Sequence, residues 1–545
     1  MKTFKFLYIL PLALLISISC EQELIVTEPP VVEPPVTNGT PGSATFTKFV
    51  AIGNSFVAGV QAGALFTEGQ NNSLPAIMAK QFAMTGVGGG AFVQADIKAS
   101  LGWNLFITQP FLADNTKPIL GRLLLQGASP KPTPQAYAVG NIEALPSPAN
   151  TNFIYTGGKA TLNNFGVPAI FLGQSLIPQT GAWAGAGVDP RFSPFYGRLA
   201  YPGTGTSTII GDAAGAAGTF FLFWLGLDDF FLHAAFGGDP AKAPLTPASG
   251  AGANGFDVQY GAAIGALLGS NPNLKGVVGN FPDIFKMPHF TAVAYNPIPL
   301  DAATATAVST GFAGYNAALD GLIANAATFG ISAALVTEIG TRKVTFTAAA
   351  NNKPLILDET LTDLGPYFDG LKNAGAITTE QRAALTPYQK VRQTTPTDKL
   401  PLATGSILGT LVGGNPTLVN GVTVPLADQY VLIPSEIDAI NAARTAFNAT
   451  VQATVDANST RLALADINAT MTSLHTNGAA ILNNITITPN INPPTGFYSE
   501  DGVHPNSRGY AYLSRTFISA INTKFGATIP LTDVSKYKAT ALPIP

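Results

Sequence analysis

The sequence predicts an α/β fold: a three-layer α/β/α sandwich on a mostly parallel sheet, interrupted by long loop insertions. Two observations point there. From Thr47 onward, short apolar runs alternate with segments of helical character. Several of those runs are apolar at every position instead of at every second one, as a parallel sheet covered on both faces requires.

In chain order, Phe49–Ile52 is the first expected strand and Leu74–Phe82 the first helix. Thr219–Leu225 reads as a strand, Phe256–Leu268 as a helix, and Gly276–Gly279 as a short strand around two valines. Gly311–Ala326 and Ser435–Asp456 continue the helices, Leu462–Ile467 adds a strand, and Ser507–Lys524 forms the last helix. Residues 103–218 are rich in Gly and Pro and are expected to form long loops around a site. Residues 345–429 look like an insertion with small elements of its own. No repeat at solenoid or propeller spacing is present.

The amino terminus has a different character. "MKTFKFLYILPLALLISISC" opens with basic residues, continues through an apolar stretch and ends in small residues. That layout is a signal peptide over residues 1–19, too short for a comfortable membrane span. Cys20 is the chain's only cysteine, and "SISC" resembles the cleavage box of a bacterial lipoprotein, in which the cysteine is lipidated. Residues 20–45 then read as a lipid-anchored, Pro-rich linker. Residues 46–545 read as one domain with insertions near 103–218 and 345–429. The expected location is the bacterial cell envelope, as an exported outer-membrane lipoprotein held to the membrane by its anchor.

Composition excludes some functions. With 46% hydrophobic and 11% charged residues, the chain fills a large core and leaves a surface rich in Ala, Gly, Thr, Asn and Pro. The formal net charge of −3 becomes −5 once Lys2 and Lys5 leave with the leader (27 basic against 32 acidic residues). No basic stripe is available to neutralise phosphates, so no nucleic-acid partner is expected. A single cysteine excludes disulfides and cysteine-rich zinc sites.

Chemistry has few places to reside. Ser55, where the apolar run "FVAIGNSFVAGV" breaks, is either a nucleophile held at a strand end or a polar cap on a turn. Asp501 and His504 stand three apart just before the last helix. A carboxylate at that spacing accepts the imidazole Nδ1–H and leaves Nε2 facing outward as a base. The remaining histidines offer less: His233 in a helical apolar stretch, His289 in a loop after a proline, and His475 on a polar face. None pairs with another at metal-ligand spacing. Asp228, Asp229 and Asp239 are a weak cation motif, so neither a metal nor a cofactor is expected. "GVGGGAF" (residues 86–92) lacks the strand-to-helix context of a phosphate loop and reads as a flexible turn.

Four blocks, taken in order, resemble those of SGNH/GDSL-type hydrolases: "FVAIGNSF" (49–56), "NFGVPAI" (164–170), "WLGLDDF" (224–230) and "DGVHPN" (501–506). The runs "LFTEGQNNSLPAIMAKQFAM" and "GNFPDIFKMPHFTAVAYNPIPLD" are similar to a branch common in lipoproteins of Bacteroidetes-type bacteria. The resemblance implies a flavodoxin-like sandwich and a serine ester hydrolase. It assigns Ser55 as nucleophile, His504 as base and Asp501 as the residue orienting His504. Ser55 and Gly166 would supply backbone N–H donors to the oxyanion, with Asp228 in the third oxyanion position.

This chain departs from the family pattern twice. Asn54 and Phe56 replace the usual Asp and Leu of the first block, a mild change because Asn makes similar turn hydrogen bonds. Asp228 replaces an asparagine whose amide donates to the oxyanion, and an ionised carboxylate has no proton to donate. Loss of one such donor costs about 10²–10³ in turnover. Burial among Phe223, Trp224, Leu225 and Leu227 would instead keep Asp228 protonated and able to donate. The leading expectation is an envelope esterase acting on a lipid or an acylated sugar. The alternatives are a glycan- or lipid-binding protein with lost turnover and, last, a structural surface protein.

Overall fold

The non-alternating apolar strands assemble into one sheet buried on both faces. In the computed structural model, which describes residues 38–105, 120–126, 131–136, 153–200, 205–250 and 254–540, five parallel strands form it. They are β1 (Phe49–Gly53), β2 (Asn164–Gly166), β3 (Phe220–Trp224), β4 (Lys275–Gly279) and β5 (Leu462–Ala465). Their spatial order is 2-1-3-4-5. Every residue of β1 and β3 is buried. The chain order reverses beside β1, and open parallel sheets form a crevice outside the carboxyl ends of their strands at such a point. Gly53 pairs with Gly166 on one side and with Trp224 on the other. The residues that follow β1, β2 and β3 therefore emerge side by side.

Helices cover both faces. The elements that matter below are α1 (Ser55–Ala58), α2 (Leu74–Phe82), α3 (Asp228–Ala235), α4 (Phe256–Ser270), α5 (Pro434–Ala457) and α6 (Ser507–Phe525). α6 packs on α2 and β5, and α5 packs on α3 and α4. α6 follows the helical period closely: Tyr510, Leu513, Ser514, Phe517, Ile521 and Phe525 form one buried stripe. Each large apolar side chain in such a stripe contributes about 1.5–3 kcal/mol. Asn506 caps its start by accepting the Gly509 N–H at 3.0 Å, and Gly526, at φ 64°, ends it in the left-handed conformation.

Four expectations need correction. The strand expected over Leu462–Ile467 stops at Ala465, because the Asp466 side chain caps the next helix, Ile467–Asn477, through the Ala469 N–H. The Gly- and Pro-rich stretch 103–218 is not only loops: it contributes β2, helices Pro194–Ala200 and Ile209–Gly215, and a hairpin of Leu120–Gln126 with Lys131–Ala136. The linker does not run to residue 45. Gly39 bonds Thr85, Thr40 bonds Thr528 and Ser43 bonds Phe525, so the chain is docked from Gly39 onward. The expected signal peptide, Cys20 and the linker up to residue 37 lie outside the described residues.

The insertion is also larger than 345–429. A second hydrophobic core joins Ile298, Phe312, Leu319, Leu322, Phe368 and Val391. Helices Ala302–Gly311, Ala313–Ala324 and Ala333–Thr341 serve that core and not the sandwich layers. Arg342, fully buried, holds it together. Its guanidinium donates to the Val391, Thr362 and Gln389 carbonyls and pairs with Glu338. Those partners satisfy a charge that would otherwise be costly to bury.

Candidate active site

Ser55 is the first residue of α1, separated from the end of β1 by Asn54 alone. The cap of that short helix is Asn54, whose Oδ1 accepts the Phe56 N–H at 3.2 Å. Capping is therefore not the task of Ser55, and its hydroxyl is directed elsewhere. Gly53 must be glycine here, since a Cβ would lie 2.5 Å from the Trp224 carbonyl oxygen. As the first helical residue, Ser55 has no intrahelical acceptor for its N–H.

The hydroxyl meets His504. Ser55 Oγ lies 2.8 Å from His504 Nε2, and His504 Nδ1 lies 2.7 Å from Asp501 Oδ2. All three side chains are buried. The Asp501 carboxylate also accepts N–H bonds from Gly63 at 2.6 Å and from Val503 and His504 at 2.8 Å each. Burial alone would raise its pKa. The charge and hydrogen bond of His504, with the Val503 and His504 amides, outweigh burial and hold the carboxyl below its ordinary value. Asp501 is thus an anion that fixes the imidazole with Nδ1–H inward and Nε2 toward the serine. The Phe56 ring lies 4.9 Å from the imidazole ring and closes that side.

The oxyanion side differs from what the resemblance implied. The Gly166 N–H is already taken by Asn164 Oδ1 at 2.9 Å. Glycine is needed there for packing, because a Cβ would lie 2.4 Å from the Ala58 backbone nitrogen. Gly166 is therefore corrected from donor to spacer. Three residues on, Ala169 is exposed and holds φ 52°, uncommon for a residue with a side chain. No acceptor among the described residues takes its N–H. Sequence reasoning passed over Ala169, and the only signal was its place after Pro168 in the second block.

Asp228 and Asp229 open α3 at the carboxyl end of β3 and are both buried. Asp229 accepts the Leu172 N–H at 2.7 Å and the Thr246 hydroxyl at 2.8 Å. Burial raises its pKa to about 7, with those donors pulling it down. Asp228 is raised further, to about 8, first by burial and then by the charge of Asp229. The Asn54 amide and the Ile170 N–H oppose that shift. Neither Asp228 Oδ2 nor Asn54 Nδ2 completes a hydrogen bond, so this is a close contact and not a bond. At neutral pH Asp229 has the better claim to the charge and Asp228 to the proton.

His289 was read as a loop residue, but it is buried against the relay. Its backbone N–H donates to Gly502 at 3.0 Å, and its carbonyl accepts the Leu402 N–H of the insertion at 2.7 Å. Gly502 holds φ 70°, and a Cβ there would lie 2.8 Å from the His289 nitrogen. Burial lowers the imidazole pKa to about 4, opposed by a hydrogen bond to the Asp501 backbone. His289 is a neutral brace under the turn that carries Asp501. His475 is half-buried and bonds the Tyr498 hydroxyl at 2.9 Å, which corrects its reading as a solvated face. His233 Nδ1 lies 2.7 Å from the Ala243 carbonyl oxygen.

No metal was expected at Asp228, Asp229 and Asp239, and among the described residues the carboxylates that gather closely are a different group. Glu359, Asp428 and Glu436 bring one carboxylate oxygen each within 4.8 Å of one another. Burial and mutual repulsion raise Asp428 to about 6 and Glu436 to about 8. Glu359 is exposed, and the cluster remains an acidic surface group. Comparison with protein-family models, with curated proteins and with solved structures finds no match to this chain.

Proposed function

We propose that the protein is a serine hydrolase of the SGNH/GDSL type that cleaves carboxylic esters through an acyl-enzyme. The observation that carries the reading is the continuous Ser55–His504–Asp501 hydrogen-bonded relay at the switch point of the sheet. His504 Nε2 removes the Ser55 proton as Oγ attacks the ester carbonyl. The imidazolium, stabilised by Asp501, then protonates the leaving alcohol. Water enters, His504 takes its proton in turn, and the acid is released. The Ala169 N–H, which no described residue accepts, the Ser55 N–H and a protonated Asp228 are the groups we assign to the oxyanion.

A fluorophosphonate probe tests this directly. One equivalent should label Ser55 in the wild type and none should label Ser55→Ala or His504→Ala. Equal hydrolysis of short acyl esters by wild type and Ser55→Ala removes the assignment.

One feature favours a second reading, a lipid- or glycan-binding protein with lost turnover. An ionised Asp228 beside the nucleophile would repel the tetrahedral anion. Absence of labelling together with saturable binding of an ester would favour it. Export and anchoring through Cys20 belong to the same proposal and rest on the amino-terminal pattern. Palmitate incorporation that survives Cys20→Ser would remove that part.

A further inference from the structure

One cavity lies against the relay without containing it. Its volume is ≈ 290 Å³, bounded by the hairpin strand Leu120–Gln126, the start of α6 and the Ser499–Glu500 turn. That is the lower end of ligand-pocket sizes, enough for one small ring.

Most of its polar lining is already engaged. Asn506 caps α6 and donates to the Gly496 and Tyr498 carbonyls. Gln61 accepts from Ser507 at 3.2 Å, and Ser499 Oγ accepts the Ala62 N–H at 2.8 Å. Glu68 and Lys538 approach each other to 3.9 Å at the rim. Two groups are left open. Glu500 is only 8% exposed, and apart from its own backbone N–H no donor among the described residues meets its side chain. Arg122 stacks over the Phe66 ring at 4.9 Å, and its buried Nε–H meets no acceptor among the described residues. Burial and, less, the charge of Asp501 raise the Glu500 pKa to about 7, while its own backbone N–H and, least, Arg122 draw it down. The two attract across the cavity but form no ion pair.

The lining selects among ligands. Two acids and two bases give it no net sign, which disfavours a simple cation or anion. An acyl chain would bury Glu500 and Arg122 unpaired, at a cost. A vicinal diol answers both groups: one hydroxyl donates to Glu500 and its neighbour accepts from Arg122 Nε. We infer that this cavity is a subsite for a sugar ring, with Glu500 and Arg122 reading adjacent hydroxyls. Glu500 directly precedes Asp501, and Ala62 precedes Gly63, whose amide bonds Asp501. The sugar thus rests one residue from the relay acid along both segments. Assigning it as the alcohol part of the ester rests on the hydrolase reading; the binding itself does not.

The test uses the full chain carrying Ser55→Ala, so that turnover cannot interfere. Methyl glycosides of glucose, galactose, xylose and N-acetylglucosamine are the probes, followed by saturation-transfer NMR and calorimetry. At least one should bind. Glu500→Gln and Arg122→Leu should each weaken it about tenfold or more, the scale of one charged hydrogen bond. Deoxy analogues lacking either hydroxyl should lose as much against the unaltered cavity, which covers a variant that fails to fold. Binding by none of the glycosides, equal affinity of the deoxy analogues, or preference for a neutral dipeptide amide overturns the proposal. Glycoside binding in a wild-type chain that fluorophosphonate does not label leaves the subsite standing and removes the hydrolase reading alone.

Discussion

His504 Nε2 and Ser55 Oγ lie 2.8 Å apart although 449 positions separate them in the chain. The contact comes from the sandwich. β1 delivers the serine at its carboxyl end, and the turn before α6 delivers the histidine from a helix packed on the same sheet. Ser55→Ala should lower kcat for short acyl esters by about 10⁴-fold or more. The fold should survive, since the change leaves one imidazole nitrogen unpaired at about 1–3 kcal/mol. Circular dichroism and ester hydrolysis on the same samples check both statements; retained turnover ends the serine mechanism.

Asp228 should shape the alkaline limb of the rate profile. Its pKa is raised to about 8, so it carries a donatable proton below that pH and a charge above it. If the neutral acid donates to the oxyanion, wild-type kcat falls as pH rises through about 8. Asp228→Asn, which keeps a donor at every pH, should retain activity there. Profiles from pH 6 to 10 decide the matter, and superimposable curves exclude Asp228 from the oxyanion site.

The same group should leave a mark on stability. A carboxyl with a folded pKa above its unfolded value binds protons preferentially when folded. Its contribution is complete below the unfolded value of 3.8 and is lost as pH rises through about 8. At 1.36 kcal/mol per unit over that span, the loss is on the order of 6 kcal/mol. Asp228→Asn removes this dependence, so urea midpoints for the variant should fall less between pH 5 and 8. Parallel slopes would mean that Asp228 titrates normally.

His289 should act on rate more than on substrate affinity. It touches the Asp501 turn and not the serine, so His289→Phe should lower kcat about three- to tenfold with KM little changed. His289→Gln, which can still donate to the Asp501 backbone, should recover part of that loss. A variant with unaltered kcat would reduce the residue to core filling.

The sheet was legible because burial on both faces removes alternation, and β1, β3, β4 and β5 each announce themselves that way. β2 did not: three residues, Asn164–Gly166, are too few for any period. Leu74–Phe82 matched to the residue because Ser73 caps its start. The insertion boundary was missed because Ala-rich helices such as Ala313–Ala324 look alike whichever core they serve. In the site, serine, aspartate and histidine were readable from block order and residue type. Which N–H is already engaged was not, because that depends on the Asn164 side chain turning back on Gly166. His289 was equally hidden, its role being set by the Gly502 turn, over two hundred positions away.

Asn506, the cap of α6, stands two residues after His504 and ties that histidine to a helix with a long buried stripe. Many enzymes lose function through a soft loop well before the body melts. Tied in this way, His504 should not loosen ahead of that helix, so under the proposed mechanism heating should silence turnover and dissolve the helical signal in a single event.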